Sequence, residues 1–203
     1  MIYIPHTPEY ASEAERLIGQ LHSFDVAARA VPYASAGNWE LNTLERANAV
    51  WLQTVSKREN YSWLMDADIE VRQDPTKFFS TFLDDCDIAL CHRFDKKNQS
   101  DDFRVSAGVV GWRGTVGYEF FTDWASRCRN WPEFSKANHL TYSCPEQACL
   151  TFAERLASLG GATIKSIPSK FNCLPKDEEA GVEPVLFHLP ASRTKKKHIG
   201  RPA

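Results

Sequence analysis

An aspartate pair, Asp66 and Asp68, follows the apolar run Trp63-Leu64-Met65. Of all the residues in this sequence, these two are the best suited by type and spacing to bind a ligand or take part in catalysis. Such a run indicates a buried strand, and two side chains at i and i+2 beyond its end can lie on the same side of the chain. Two carboxylates that close repel each other by several kcal/mol at an effective dielectric of about 20. Because a bound divalent cation or a retained proton relieves this repulsion, the pair indicates a cation site.

The type of the ligand atoms indicates which cation would bind and which further ligands it would take. Oxygen donors favour Mg²⁺ or Mn²⁺, and these ions usually keep water and take phosphate oxygens as remaining ligands. Ligands of open α/β sheets also bind beyond the carboxyl ends of strands. The pair therefore predicts a nucleotide diphosphate bound through a metal ion, with a solvated turn of capping aspartates as the alternative. Glu70 does not fit the D-x-D-x-T/V pattern of haloacid dehalogenase phosphatases, and Val71 stands where an EF-hand loop needs glycine.

Strands and helices alternate along the chain, which would place the pair at a sheet edge. Apolar patterning predicts strands over 1–5, 24–31, 61–65, 69–71, 87–91, 105–112, 162–167 and 185–188, and helices over 9–21, 42–55, from Pro75, 118–129 and 145–156. The helix over 42–55 is expected to be capped by Asn42 or Thr43. This alternation indicates an α/β sandwich with a mostly parallel central sheet.

Composition excludes several classes of protein. A chain of 203 residues with 43% hydrophobic and 12% aromatic residues is not disordered, and a net charge of −2 gives no global field for nucleic acid. No apolar run approaches about 18 residues, so no membrane span is expected. The first residues lack the features of a secretory signal, so a cytoplasmic protein is expected. The six scattered cysteines are expected to be reduced core thiols, although Cys86, Cys91 and His92 leave a zinc site open despite unusual spacing.

Four ordered segments resemble the small GT-A nucleotide-sugar glycosyltransferases over roughly residues 3 to 197. They are Thr7-Pro8-Glu9-Tyr10 after the first strand, 64–71 with the aspartate pair (which resembles the DxD motif), 106–113 followed by 145–150, and Leu186-Phe187-His188 followed by a basic tail. The resemblance implies a GT-A-like, Rossmann-type α/β/α sandwich formed by one domain over 1–203. It implies a donor-binding half over about 1–75, an acceptor and sugar half over about 76–190, and a tail over 191–203.

The resemblance implies three metal ligands. Asp68 would chelate Mn²⁺ or Mg²⁺, Asp66 would assist it or hold the donor ribose, and His188 would complete the metal shell. A histidine satisfied by backbone groups at a strand end is the alternative for His188.

It also implies contacts with the nucleotide-sugar donor. Thr7 would line the base pocket, Arg46 would touch the nucleotide or sugar, and Gly108 would permit close backbone approach to the sugar. Arg193 and Lys195 would face the diphosphate. Solvated charges are the alternative for Arg46 and for the basic tail, and a bulge or turn is the alternative for Gly108.

The catalytic candidates by the same resemblance are Glu146, Gln147 and Asp66. Glu146 is the residue expected to act as the base if the reaction inverts, since an inverting transferase needs a carboxylate for the acceptor proton. A first-turn acid that favours the helix dipole is the alternative for Glu146. The acidic-Gln helix start and His188 favour retention over inversion.

The implied activity is metal-dependent transfer of a sugar from a nucleotide-diphosphate sugar, with a UDP-sugar favoured. The acceptor stays open among a glycan, a protein, a small molecule and a modified DNA base, and residues 95–104 are expected to form a mobile acceptor loop or to be disordered. The missing anchor and stem of secretory-pathway relatives fit a cytoplasmic bacterial or viral-type enzyme. The alternatives are a nucleotidylyltransferase, although 6–10 hold no glycine for a phosphate loop, and a non-catalytic nucleotide-sugar-binding domain.

Overall fold

The computed structural model describes residues 1–55, 59–94, 103–139 and 144–189. The strands of these residues are β1 (Ile2–His6), β2 (Ala28–Pro32), β3 (Tyr61–Met65), β4 (Ile69–Val71), β5 (Ile88–Phe94), β6 (Phe103–Arg113), β7 (Ile164–Ser166) and β8 (Leu186–His188). Their α-helices are α1 (Ala11–His22), α2 (Trp39–Thr54), α3 (Thr76–Thr81), α4 (Gly114–Arg129), α5 (Trp131–Ala137), α6 (Pro145–Leu159) and α7 (Pro175–Glu179). Short 3-10 turns cover Pro8–Tyr10 and Ser169–Phe171.

Six strands form the central sheet in the order β2-β1-β3-β6-β5-β7. β6 runs antiparallel to both of its neighbours, β3 and β5, while the other strands of the sheet share one direction. The expected α/β sandwich with a mostly parallel sheet is thus confirmed. Strands from both 1–75 and 76–190 contribute to this sheet.

The sheet is buried on both faces, as its apolar strands predicted. Along β3, Trp63 and Met65 belong to the core cluster that α1 and α3 cover. Leu64 lies between them and belongs to the cluster that α2, α4 and α6 cover. Because side chains alternate along a strand, the consecutive apolar residues Trp63, Leu64 and Met65 are suited to this middle layer.

A second, two-stranded sheet pairs β4 with β8 in antiparallel orientation. Ile69 stands opposite His188, and Val71 stands opposite Leu186. β4 begins directly after Asp68, so this pairing places His188, the last residue of β8, beside the aspartate pair. Arg72 reinforces the junction because its guanidinium lies 3.7 Å from the ring centroid of Phe187.

β6 bulges where it passes the end of β3. Its register with β5 changes between Leu90, opposite Val110, and Cys91, opposite Ser106. Residues 107–109 of β6 therefore have no counterpart in the β5 ladder, as expected of a bulge. The bulged segment is held to the residue that follows β3, because the Gly108 carbonyl accepts a hydrogen bond from the Asp66 N–H at 2.9 Å.

Three predicted element starts were wrong by three residues or more. Helix α4 begins at Gly114 instead of Tyr118. The second strand begins at Ala28 instead of Phe24, because the turn that ends α1 includes Phe24 and closes with a bond from the Val26 N–H to the Leu21 carbonyl at 3.0 Å. The cap of α2 is Asn38, which accepts from the Leu41 N–H at 2.9 Å.

Asn42 has a different role from the predicted cap. It lies inside α2 and is buried, and its Oδ1 accepts from the Ala36 N–H at 2.6 Å. The side chain therefore braces the loop that precedes the helix.

The acceptor loop predicted over 95–104 extends two residues too far, because the last two of these residues belong to a strand. Phe103 and Arg104 belong to β6 and pair with Phe94 and Arg93 of β5. Residues 95–102 lie outside the described part of the chain, so the rest of that expectation is untested. The helices α5 and α7 were not predicted.

Within the described residues, no helix combines the length and the apolar character that crossing a membrane requires.

Candidate metal centre

Asp66, Asp68 and His188 come together at the carboxyl end of β3. One ligand atom from each lies within 4.8 Å of the others, and all three side chains are partly buried. Across residues 1–55, 59–94, 103–139 and 144–189, this is the one group of three or more carboxylate, imidazole or thiol ligands with that spacing. The structure thus joins the three residues that the sequence analysis assigned to a metal.

Backbone hydrogen bonds fix the turn that carries the two aspartates. The Ile69 N–H donates to the Asp66 carbonyl at 3.3 Å, which closes the turn between β3 and β4. The Leu189 N–H donates to the Asp68 carbonyl at 2.9 Å, so the residue after His188 is tied to the turn as well. The position of His188 therefore depends on the β4–β8 pairing and on this bond.

The donor set fits a hard divalent cation. Ligands about 2.1 Å from one Mg²⁺ ion can be at most about 4.2 Å apart, so a small contraction would bring these atoms onto one ion. His188 Nδ1 lies 3.8 Å from Asp68 Oδ1, too long for a hydrogen bond, and a cation between them would satisfy both. Two carboxylates and one imidazole suit Mn²⁺ or Mg²⁺ with water and phosphate at the remaining positions.

Arg46 of α2 bonds to two carboxylates, those of Asp66 and Glu146, at the candidate metal centre. Its guanidinium donates to Asp66 Oδ1, to Glu146 Oε1 and, at 3.0 Å, to the Ala107 carbonyl of the bulge. The three bonds use the fork of donors that only arginine provides. Arg46 thus connects α2, β3, β6 and α6 at one point.

Burial makes this network electrostatically important. The Glu146 side chain is 1% exposed and that of Arg46 is 12% exposed. Burial alone would lower the pKa of Arg46, but the charge and hydrogen bond of Glu146 outweigh it and raise the pKa. Arg46 therefore stays charged and compensates the buried carboxylate. A base role for Glu146 would require this carboxylate to leave its guanidinium partner.

The 3-10 turn after β1 lies next to the aspartates. Thr7 is buried where this turn begins, and its carbonyl accepts from the Tyr10 N–H at 2.9 Å. Burial and then the negative charge of Asp68 raise the pKa of Tyr10 to about 12. Tyr10 is therefore neutral at physiological pH and borders the same edge of the sheet as the metal ligands.

Gly108 lies against His188, and the absence of a side chain makes this approach possible. A Cβ atom on Gly108 would lie 2.5 Å from His188 Nε2 and 3.0 Å from Asn172 Oδ1. These distances are shorter than van der Waals contact. The close approach seen at Gly108 is thus to the imidazole, and the predicted approach to the sugar stays a prediction.

Several solved glycosyltransferase structures share this architecture. The glycosyltransferase involved in the glycosylation of the major capsid of PBCV-1 matches with a TM-score of 0.68 and 14% identity, over 98% of this chain and 97% of that one. The galactosyltransferase LgtC, in complex with donor and acceptor sugar analogues, matches with a TM-score of 0.57 and 12% identity, over 93% and 86%. The chain has the GT-A fold of these glycosyltransferases.

A third match is partial. GlyE of Streptococcus pneumoniae TIGR4 has a TM-score of 0.53 and 13% identity, over 92% of this chain and 53% of GlyE, so the chain spans about half of that protein. Comparison of the sequence with protein-family profiles and with curated proteins finds no match. The likeness to the solved structures confirms the predicted GT-A-like fold.

The GT-A fold places the other predicted site residues as follows. Glu146 and Gln147 lie in the first turn of α6, the former buried and the latter half-buried. Arg46 lies between Glu146 and Asp66, a pairing that sequence analysis did not foresee. Arg193 and Lys195 lie outside the described residues, so their predicted contact with a diphosphate is untested.

Two residues of the possible zinc site, Cys86 and His92, have other hydrogen-bond partners in the structure. His92 contacts Glu154 through Nε2, and its Nδ1 lies 3.3 Å from Ser166 Oγ. Cys86 is buried, and its thiol donates to the Phe82 carbonyl at 3.5 Å. Five of the six thiols are buried, as expected of core cysteines, and Cys144 is half-buried.

Asn172 is fully buried beside His188 and was not predicted as a site residue. No local pattern marks this residue, since a single asparagine between Phe171 and Cys173 is an ordinary sequence. Its position becomes evident only from the bridge between Cys173 and Phe187, which lays the segment alongside β8.

Proposed function

We propose that this protein is a metal-dependent glycosyltransferase that moves a sugar from a nucleotide-diphosphate sugar, with a UDP-sugar favoured, to an acceptor. The observation that carries the proposal is the Asp66–Asp68–His188 group at the carboxyl end of the central strand of a GT-A fold. LgtC was solved with donor and acceptor sugar analogues, which supports a sugar donor for the fold.

The proposed mechanism assigns a task to each part of the site. Asp68, His188 and one oxygen of Asp66 hold Mn²⁺ or Mg²⁺, which when bound supplies Lewis-acid stabilisation of the departing diphosphate. Arg46 holds Asp66 in place, and Thr7 forms the wall of the base pocket. Gly108 leaves the backbone of the bulge open to the sugar. Cleavage of the sugar–phosphate bond leaves the electron pair on the phosphate oxygen and gives an oxocarbenium-like sugar. The anomeric carbon then bonds to the acceptor oxygen, whose proton passes to the departing phosphate.

Retention of configuration is favoured over inversion. The burial of Glu146 and its bond to Arg46 leave this carboxylate badly placed to take a proton from an acceptor. Gln147 follows it and is less buried. One LgtC structure is an active-site mutant with glutamate in place of glutamine, which supports a role for a glutamine in that enzyme and, by proposal, for Gln147 here.

Release of a nucleotide diphosphate tests the activity. The protein is incubated with UDP- and GDP-sugars and Mn²⁺, with and without EDTA, and free UDP or GDP is measured. We expect Mn²⁺-dependent release of UDP from a UDP-sugar. A thermal shift without release would indicate a binding domain, and pyrophosphate release from a nucleoside triphosphate and a sugar phosphate would indicate a nucleotidylyltransferase.

The basic tail gives a second expected result. Replacing Arg193 and Lys195 with alanine should weaken UDP binding about 10- to 100-fold, since a hydrogen bond to a charged group contributes about 1.5–3 kcal/mol. The matched control replaces Lys196 and Lys197, which removes the same charge. Calorimetric titration with UDP and Mn²⁺ compares the two pairs, and equal affinities would contradict a specific contact with the diphosphate.

Gly108 gives a third. The variant Gly108→Ala should weaken Mn²⁺ binding about 10-fold or more, because the added Cβ displaces the His188 ring, and ligand displacement has effects of this size. Gly19→Ala is the matched control, since a Cβ on Gly19 meets nothing within 4 Å. Mn²⁺ titration calorimetry measures both variants, and unchanged affinity in Gly108→Ala would contradict the assignment of His188.

A further inference from the structure

The His188 ring has a buried polar partner on the side away from Asp68. Its Nε2 is hydrogen-bonded to Oδ1 of Asn172, a residue that is 0% exposed. The opposite ring nitrogen, Nδ1, faces Asp68 Oδ1 at 3.8 Å. An amide oxygen can only accept, so this contact requires a proton on Nε2, and in the neutral ring the Nδ1 lone pair then points toward the aspartates.

The backbone holds Asn172 in register with His188. The His188 N–H donates to the Cys173 carbonyl at 2.8 Å, and the Cys173 N–H donates to the Leu186 carbonyl at 3.0 Å. These bonds form a parallel bridge between Cys173 and Phe187, so Asn172 lies beside the strand that ends in His188. The contact is therefore fixed by main-chain pairing.

Two further groups limit the movement of the amide and the ring. Asn172 Nδ2 donates to Ser106 Oγ at 3.1 Å, which anchors the amide to β6. Gly108 closes the third side of the ring, since even a Cβ atom there would lie 2.5 Å from Nε2. Asn172, Gly108 and Asp68 thus surround the imidazole and define one orientation.

We propose that Asn172 is a positioning residue that holds His188 in the Nε2-protonated tautomer, so that Nδ1 is the atom offered to the metal. The proposal rests on the metal site of the proposed function. Histidine ligands usually donate their second ring N–H to a carbonyl, carboxylate or water, which fixes the tautomer and the ring orientation. The neutral amide does this without adding another negative charge beside Asp66 and Asp68.

Nitrogen spectroscopy of the metal-free protein tests the tautomer directly. Long-range ¹H–¹⁵N spectra of histidine-labelled protein distinguish a protonated from an unprotonated ring nitrogen, and His188→Gln identifies the signals. We expect protonated Nε2 and unprotonated Nδ1 in the wild-type protein. Protonated Nδ1 would overturn the proposal, and this measurement needs no variant of Asn172.

Mn²⁺ binding, measured by calorimetry, supplies the second readout. Asn172→Ala should lose the tautomer preference and weaken Mn²⁺ binding about 10- to 100-fold. Asn172→Asp keeps an acceptor oxygen and should restore the Nε2-protonated form. Wild-type affinity in Asn172→Ala would overturn the proposal.

Failure of the inference differs from failure of the proposed function. Mn²⁺ binding by the wild-type protein together with protonated Nδ1 would overturn the role of Asn172 and support the metal site. Protonated Nε2 without Mn²⁺ binding would overturn the metal site, and with it Nδ1 as a ligand.

Discussion

Arg46→Met is expected to lower the free energy of unfolding by about 3–5 kcal/mol, because it leaves Glu146 buried without its cationic partner. It should also abolish turnover, since Asp66 loses the group that orients it. Urea denaturation measures the first effect, and UDP release measures the second.

A double-mutant cycle separates the buried charge from the lost side chain. Combining Arg46→Met with Glu146→Gln removes both charges and should recover most of the lost stability without recovering turnover. If Arg46→Met were destabilised by less than about 1 kcal/mol, the ion pair would contribute as little as an exposed one. That result would contradict the buried network.

Glu146→Gln by itself distinguishes two roles for this carboxylate. A general base acts on the acceptor, so its loss would lower transfer and leave donor binding unchanged. A residue that positions Arg46 and Asp66 would lower both. The contact with Arg46 supports the second role, in contrast to the base role that the resemblance implied for an inverting reaction.

The second large effect is expected for Asp68→Asn, which should lower Mn²⁺-dependent UDP-sugar hydrolysis about 100-fold or more. A metal contributes several kcal/mol to stabilisation of the departing charge, and each 1.36 kcal/mol corresponds to tenfold in rate. The variant keeps the shape of the side chain and reduces repulsion with Asp66, so the thermal midpoint should not fall. UDP release and thermal denaturation measure the two effects.

Glu70→Gln is the matched control for Asp68→Asn. Glu70 lies two residues further along, on β4, and its carboxylate pairs with Arg72 outside the metal group. The same carboxylate-to-amide change should therefore leave hydrolysis unchanged. Undiminished turnover in Asp68→Asn would contradict the metal centre, and an equal loss in both variants would indicate a general effect of charge.

Much of the fold followed from local patterns. The run 61–65 predicted β3 with its observed bounds, because the consecutive apolar residues at its end are typical of a strand that is buried on both faces. The bounds of α2 did not follow, since Asn38 and Asn42 are equally suitable caps in sequence. The loop contact of Asn42 with Ala36 decided between them.

Only part of the candidate site could be predicted from the sequence. The spacing of Asp66 and Asp68 indicated a cation, and the resemblance to GT-A enzymes added His188. The buried ion pair of Arg46 and Glu146 was not predictable, since helices far apart in sequence carry the two residues. The same holds for Asn172, whose partner is set by the pairing of Cys173 with Phe187.

The sequence by itself determined the alternation of strands and helices, the burial of the central strand and the two carboxylates at its end. These depend on side-chain period and on interactions between residues a few positions apart. Only the tertiary structure decided that His188 meets Asp68, that Arg46 neutralises Glu146 and that Asn172 holds the imidazole. Such contacts depend on which elements pack together, and that choice is a property of the whole core.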